Sequence, residues 1–136
     1  MIIDAKDMIV GRLATHVAKQ ALLGETISIV NAEKAVITGK KDEILNKFKQ
    51  RKERGAALVG PYYPRTPERL LKRMIRGMLP YKQPRGREAF ERIKCYKGVP
   101  KQFEGKAVSL DQFNVNTTYA NFITIEQISK KLGAKL

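Results

Sequence analysis

The sequence predicts a single α/β domain that is wrapped by a basic, partly irregular arm. The chain has 136 residues, of which 43% are apolar, and one ordinary domain has this size and composition. A strand, a helix and a second strand follow one another within the first 30 residues, which implies parallel strands joined by a right-handed crossover. The later helices and turns are crowded with lysine and arginine. We therefore expect residues 1–136 to form one domain with a basic outer region.

The first part of the chain alternates strands with helices. Residues 2–4 are a short apolar run and residues 26–30 are rich in β-branched side chains, so both predict strands. Between them, apolar residues recur on one face of a helix that extends from Met8 to Leu23. A third short strand is expected at residues 35–37, and a second helix at residues 40–53.

Prolines and capping residues organise the rest of the chain. The Gly60–Pro67 stretch contains three prolines, which exclude a helix interior. Thr66 is expected to cap the next helix, with Pro67 at its first position and its end near Gly77. The remaining predicted elements are a helix over 85–93, a strand over 93–96, an irregular stretch over 98–122 and a last helix that begins at a Thr124–Gln127 capping box.

The charge of the chain is large and unevenly distributed. The formal net charge is +14, from 27 Lys and Arg against 13 Asp and Glu. Residues 40–106 hold 20 of these basic residues and only 7 of the acidic ones, whereas residues 1–39 are neutral overall. A domain that repels itself in this way is expected to meet a polyanion: nucleic acid, an anionic membrane surface or an acidic protein. The alternative is a basic surface that only promotes solubility.

The helix that follows Thr66 is the most informative segment. Its apolar residues fall on one half of the helix, and four cations lie on the other half at helical spacing. Like charges in one stripe repel each other, and solvated helix faces usually alternate in sign, so this stripe predicts contact with phosphates. The four cations are Arg69, Lys72, Arg73 and Arg76.

The type of polyanion is indicated by the residues around this helix. Arginine outnumbers lysine in residues 51–92, and its planar guanidinium binds phosphate bidentately and stacks on bases. Tyrosines interleaved with arginines in irregular backbone favour folded RNA. A DNA-reading helix would carry Asn or Gln, and a membrane-surface helix would carry bulky aromatics on its apolar face. Further cations, among them Arg92 and Lys94, follow in the sequence.

Signatures of enzymes, metal sites and membrane segments are incomplete or missing from the sequence. Only Gly11 of a dinucleotide-binding glycine pattern precedes the first helix, with Glu33 as a lone candidate for a ribose-binding acid. His16 and Cys95 have no partners at catalytic or metal-ligand spacing. We therefore predict no catalytic residue, metal, cofactor, small-molecule substrate or membrane partner, and a reducing, cytoplasmic location.

Two other functional classes remain as alternatives to an RNA-binding protein. One is an α/β nucleotide- or RNA-processing enzyme, which binding of a mononucleotide would favour. The other is a scaffold protein that binds an acidic protein and no RNA.

Five strings of residues in the first 98 positions are distinctive. They are Gly11-Arg12-Leu13-Ala14 with Val17-Ala18-Lys19, Ile29-Val30-Asn31-Ala32-Glu33-Lys34, Thr38-Gly39-Lys40, Arg76-Gly77-Met78-Leu79-Pro80 followed by Lys82, and Lys94-Cys95-Tyr96-Lys97-Gly98. In this order, they resemble the L-thirteen family of large-subunit ribosomal proteins over residues 1 to about 100. Gly60-Pro61-Tyr62, with Arg65 and Pro67, resembles the archaeal and eukaryotic branch, and the long C-terminal extension of eukaryotic members is absent, so an archaeal type is expected. Residues 101–136 match the family weakly.

The resemblance implies a fold, a partner and a set of contact residues. The implied fold is a three-layer α/β/α domain with a four-stranded parallel sheet, to which the residue pattern adds basic irregular loops and a C-terminal helix. The implied function is to bind large-subunit ribosomal RNA during assembly, next to neighbouring large-subunit ribosomal proteins, without catalysis or a cofactor. The resemblance places Arg12, Lys40, Lys41, Arg76, Lys82 and Lys97 on the RNA, and the residue pattern adds Lys47, Arg51, Arg54, Tyr62, Arg65, Arg69, Lys72, Arg73, Arg85 and Arg87.

Overall fold

The computed structural model describes residues 1–56, 58–117 and 120–135 and has a parallel sheet at its centre. The strands are β1 (Ile2–Asp4), β2 (Ile27–Val30), β3 (Val36–Thr38), β4 (Ile93–Cys95), β5 (Val108–Ser109) and β6 (Phe122–Thr124). The helices are α1 (Val10–Leu22), α2 (Lys41–Glu53), α3 (Pro67–Arg76), α4 (Pro84–Glu91) and α5 (Ile125–Lys131). Four strands form a parallel sheet in the order β4-β2-β1-β5, so the predicted α/β class and four-stranded parallel sheet are confirmed.

The sheet owes its stability to buried isoleucines. Ile3 of β1 is in register with Ile29 of β2, and both are fully buried. Ile27 of β2 is in register with Ile93 of β4, and these two side chains are fully buried as well. Ser28 and Lys94, which alternate with these isoleucines, are half-buried and exposed respectively, so the four isoleucines form one buried, β-branched face of the sheet. The strands predicted at residues 2–4, 26–30 and 93–96 are present within one residue of their expected bounds.

Helix α1 covers the sheet with the apolar face that the sequence predicts. The helix ends at Leu22, and Gly24, two residues later, has a φ of +102°, which L-residues rarely adopt. The helix contacts α3 and α4, and both of these contact β4. The buried residues of this face are Leu13, Ala14, Val17, Ala18 and Ala21.

The third predicted strand exists but does not join the parallel sheet. β3 pairs antiparallel with β6, with Ile37 in register with Ile123. The fourth strand of the parallel sheet is instead β5, which lies in the stretch predicted to be irregular. β5 has two residues and β6 has three, and segments this short contain no alternation that periodicity can detect.

The helix caps are partly as predicted. Thr124 and Gln127 form the expected capping box, since Thr124 Oγ1 accepts from the Gln127 amide at 3.3 Å and Gln127 Oε1 accepts from the Thr124 amide at 3.3 Å. Thr66 occupies the N-cap position of α3, but its hydroxyl makes no capping hydrogen bond, and that part of the prediction is wrong. Pro67, whose ring fixes the φ of the first turn, starts this helix without the bond.

A close backbone contact fixes the segment between α3 and α4. As predicted, α3 ends at Arg76, with Gly77 as its C-cap, before Met78-Leu79-Pro80. A Cβ on Gly86 would lie 1.9 Å from the carbonyl oxygen of Pro80, so only glycine fits there. The Gln83 amide donates to the same carbonyl at 2.9 Å. This contact sets the path of residues 78–83 beyond the C-terminal end of α3.

Candidate nucleic-acid interface

A concave surface lies between α2, α3 and the segment that follows α3. It encloses about 460 Å³ and is lined by residues from all three of these parts of the chain. We name it the arginine groove. None of its lining residues is acidic, and they include three arginines and two tyrosines. The lining residues are Arg51, Tyr63, Arg73, Met74, Arg76, Gly77, Met78 and Tyr81.

The arginines of the groove are held over aromatic rings. The guanidinium carbon of Arg73 lies 5.3 Å from the ring centroid of Tyr63, and that of Arg76 lies 4.7 Å from the centroid of Tyr81. Arg51 is placed in the same way over Phe48, at 5.6 Å. A cation over a ring gains about 0.5–1 kcal/mol at exposed sites. These contacts orient the guanidinium groups before a ligand binds.

The charges of these arginines are not neutralised by the protein. Within residues 1–56, 58–117 and 120–135, the guanidinium groups of Arg51, Arg73 and Arg76 have no ion pair and no hydrogen bond. Each guanidinium can donate five N–H groups in a planar fork that matches phosphate oxygens. The ion pairs of the described residues are Lys40–Glu43 at 3.8 Å, Arg92–Glu88 at 4.0 Å and Lys130–Glu126 at 3.1 Å. The groove is therefore a site of uncompensated positive charge.

Two smaller hollows adjoin the groove and contain more of the predicted residues. On one side, Arg69 and Lys72 line a hollow together with Arg73 and Arg76, and the Lys72 ammonium lies 4.6 Å from the ring centroid of Phe90. On the other side, a hollow that shares Arg51, Met74 and Met78 with the groove is bordered by Lys47 and reaches Gly11 of α1. The structure thus brings together six predicted residues: Lys47, Arg51, Arg69, Lys72, Arg73 and Arg76.

The other ten predicted residues lie outside the lining of these three hollows. Lys41 borders a separate hollow with Lys130 and Lys131 of α5, and Arg12 borders another with His16 and Lys19. Two further members have partners within the protein: Lys40 pairs with Glu43, and Arg85 donates to Gln83 at 3.2 Å. The remaining six are exposed on loops, near helix ends or after β4, and they are Arg54, Tyr62, Arg65, Lys82, Arg87 and Lys97.

Two residues that the sequence offers as candidates for ligand binding, Arg92 and Glu33, have structural roles. The Arg92 side chain turns inward, and its Nη1 donates to the Ala21 carbonyl at the end of α1 at 2.9 Å. Glu33 is buried, and its Oε2 accepts from the Gly98 amide at 3.0 Å, so it is not free to bind a ribose. Both contacts join segments more than 60 residues apart in the chain, so they depend on the tertiary fold.

The tyrosines that line the groove are Tyr63 and Tyr81, and the sequence analysis placed neither of them among the contact residues. Tyr62, which the residue pattern predicts as an RNA contact, is 72% exposed and lies outside the groove lining. The proximity of arginine and tyrosine in the sequence was the only available signal, because the path of residues 58–66 decides which ring faces α2. The Tyr63 ring packs against Phe48 of α2, with the ring centroids 6.3 Å apart. Lys130 and Lys131, which join Lys41, were also missed.

The residues considered for catalysis are packed in the protein. The only cysteine, Cys95, packs against the hydrophobic core, and burial raises the pKa of its thiol to about 12. A thiol with this pKa is protonated at neutral pH and is a poor nucleophile. His16 is half-buried, and its ring centroid lies 5.5 Å from that of Phe113. Across the described ranges, no three His, Cys, Asp or Glu side chains form a group that would hold a metal ion.

Taken together, the fold and the groove define a class: small α/β proteins with a preformed, uncompensated cationic face for a polyanion. The family model for ribosomal protein L13 matches residues 1–102. The chain belongs to the ribosomal protein L13 family. This confirms the predicted family and favours a structural protein of the ribosome over an enzyme. None of the described helices combines the length and the apolar character that a membrane crossing requires.

Curated relatives extend the likeness to almost the whole chain. The large ribosomal subunit protein uL13 of Thermoplasma volcanium is 47% identical over 97% of this chain and 97% of its own length. The proteins of the same name from Methanosarcina barkeri and Haloarcula marismortui are 45% and 46% identical, each over 98% of this chain and over 98% and 91% of their own lengths. These relatives support the archaeal type, and their alignments include most of residues 101–136.

Proposed function

We propose that this protein is a structural constituent of the large ribosomal subunit that binds large-subunit ribosomal RNA and helps it fold during assembly. Its location is then the cytoplasmic ribosome, and its further partners are neighbouring large-subunit ribosomal proteins. Membership of the ribosomal protein L13 family supports the structural role. The observation that supports an RNA-binding face is the arginine groove. Its three guanidinium groups have no acidic partner among the described residues.

The mechanism of binding is electrostatic and geometric. Arg51 comes from α2, whereas Arg73 and Arg76 come from α3, so the groove presents cations from two sides. Phosphates that only RNA folding brings together can contact both sides at once. Together with the cations of the adjoining hollows, the groove neutralises about six phosphates. Because binding then releases the counterions of these phosphates, the affinity should fall by about 10³-fold when the salt concentration rises from 50 to 200 mM.

The ten predicted residues outside the groove and its two adjoining hollows would act as peripheral contacts. Lys82, Arg85 and Arg87 follow α3 in the chain and extend the cationic surface towards α4. Lys41, together with Lys130 and Lys131, forms a second cationic hollow between α2 and α5. Contacts of this kind position the protein on the phosphate backbone and contribute no sequence readout.

Crosslinking in purified large subunits tests the proposed face. After ultraviolet irradiation and digestion, we expect RNA-linked peptides from residues 47–54 and 67–82, which include the groove. The peptide over residues 20–34 includes the buried strand β2 and contains none of the sixteen predicted contact residues, so it serves as the internal control and should carry no RNA. Crosslinks confined to residues 100–117, with the groove peptides unmodified, would contradict the proposed face.

The purified chain tests the scaffold alternative directly. We expect it to bind large-subunit ribosomal RNA, with an affinity that falls steeply as salt increases. Failure to bind this RNA, combined with tight capture of an acidic ribosomal protein, would favour the scaffold protein instead. Saturable binding of a mononucleotide would favour the enzyme.

A further inference from the structure

The arginine groove has an apolar interior as well as cationic walls. Met74 and Met78 line it beside the two tyrosine rings, and Met78 is 46% exposed. A surface that bound only phosphates would need no apolar side chains in its lining. We propose that the groove accepts one unpaired nucleotide that is extruded from the RNA, with its base inside and its neighbouring phosphates on the arginines. This inference rests on the proposed function, because it specifies which part of the RNA enters the groove.

The size and shape of the groove agree with this occupant. Its volume of about 460 Å³ lies within the range of about 300–1,000 Å³ that is typical of pockets for small organic ligands. A continuous A-form duplex presents its phosphate backbone and would leave the apolar lining uncovered. A single extruded base can enter a concave site of this size and remove that lining from water.

The side chains of the groove suit stacking on a base. Unpaired bases stack on tyrosine rings and on guanidinium planes, and the groove supplies both in the pairs Arg73–Tyr63 and Arg76–Tyr81. The methionine side chains add polarizable contacts to an aromatic base. No Asn, Gln, Asp or Glu lines the groove to read a base edge. We therefore expect the site to select an unpaired nucleotide without selecting its identity.

The position of Gly77 allows a steric test that leaves the charge unchanged. Gly77 lines the groove and has a helical φ of −63°, which any residue can adopt. A Cβ at this position would meet only the Met74 carbonyl oxygen, at an ordinary contact distance of 3.4 Å. Gly77→Leu therefore adds bulk at the groove wall, and Gly77→Ala is the matched control that adds only the Cβ.

The experiment compares two RNA hairpins that differ by one bulged nucleotide. Both have the same stem and loop, and the bulge carries the fluorescent base 2-aminopurine. We expect the full chain to bind the bulged hairpin about 10-fold more tightly and to change the fluorescence of the bulged base on stacking. In Gly77→Leu both effects should be lost, because the leucine side chain occupies space that the base would fill. Gly77→Ala should keep most of the preference.

A second variant tests the site independently, in case Gly77→Leu does not fold. Tyr81→Ala removes one stacking ring and should also reduce the preference for the bulge, with circular dichroism confirming the fold of both variants. Equal binding of both hairpins by the unmodified chain, without a fluorescence change, would overturn the nucleotide site and leave the proposed function intact. Failure to bind either hairpin, together with no crosslink to ribosomal RNA, would overturn both.

Discussion

Cations in two regions of this protein are held in different ways. Around α4 and the end of α2, Arg92 donates to the Ala21 carbonyl at 2.9 Å, and the Lys52 ammonium donates to the Leu132 carbonyl at 2.7 Å. In the arginine groove, Arg73 and Arg76 lie over tyrosine rings and have no hydrogen-bond acceptor among the residues that the structure describes. Both regions belong to the same basic stretch of sequence, residues 40–106.

The difference between the two regions separates structural cations from ligand-binding cations. Arg92 and Lys52 donate to carbonyls at the ends of α1 and α5, where no further helical turn supplies amide donors. The Ala21 carbonyl accepts from the Gly24 amide as well, at 3.1 Å. The face of an aromatic ring holds a guanidinium group in place. The N–H donors at the edge of the guanidinium remain free to bind a ligand. Substitutions in the first region should therefore affect stability, whereas substitutions in the second should affect binding.

The largest effect is expected from removing the three groove arginines together. Changing Arg51, Arg73 and Arg76 to alanine should weaken binding to large-subunit ribosomal RNA by roughly 100-fold, about 1 kcal/mol for each lost charge-assisted contact. The slope of log Kd against log salt concentration should fall by about 3, because about three phosphates lose their partners. A filter-binding titration at several salt concentrations measures both quantities.

A control with the same change in charge tests whether the groove itself matters. Lys94, Lys101 and Lys106 are exposed and lie outside the lining of the groove and its adjoining hollows. Changing these three to alanine should alter the salt slope by less than about 1. Equal losses in the two triple variants would show that net charge, and not the groove, determines the affinity.

A smaller effect, on stability alone, is expected in the first region. Arg92→Met keeps the apolar stem but removes the hydrogen bond to Ala21 and should lower the free energy of unfolding by about 1–2 kcal/mol. Urea denaturation measures this change, and Lys94→Met, at an exposed position on the neighbouring strand β4, should leave stability nearly unchanged. A strong loss of RNA affinity in a stable Arg92→Met protein would contradict the separation of the two regions.

The last effect, which is confined to alkaline pH, concerns Cys95, which lies in the first region, on β4. Burial raises the pKa of its thiol to about 12, from 9.0 in the unfolded chain, and the nearby positive charge of Lys72 offsets only part of this increase. Between pH 9 and pH 12 the Cys95 thiol loses its proton in the unfolded chain but keeps it in the folded protein. The free energy of unfolding therefore falls as the pH rises through this range. Cys95→Ala should show a shallower fall from pH 9 to pH 12, measured by denaturation at each pH. An identical pH dependence in both proteins would show that the thiol does not contribute.

The sequence predicted the fold where the signal is local. Apolar periodicity located α1 and its buried face, and β-branched residues located β1 and β2. The pairing of β3 with β6 and the place of β5 in the sheet escaped prediction. β3 and β6 are more than 80 residues apart, and the local composition that marks a short strand does not specify which distant strand it pairs with. β5 has only two residues, too few to carry a pattern.

The sequence predicted the candidate site in outline but did not resolve which cations belong to it. The stripe on α3 could be derived from helical spacing: all four of its cations line one hollow beside the groove, and Arg73 and Arg76 line the groove as well. Arg92 looks no different from Arg76 in the sequence, because only the tertiary fold brings the Ala21 carbonyl within its reach. The same applies to Tyr62 and Tyr63, whose roles depend on the path of the loop.

The pairing of β1 with β5 has a consequence for the synthesis of the protein. Ile3 is in register with Val108, so one edge of β1 stays unpaired until about 100 further residues have left the ribosome. At about 5–20 residues per second, this interval lasts about 5–20 s. An open strand edge can pair with other chains during that time. The nascent protein therefore completes its sheet late, after most of its cationic surface has already emerged.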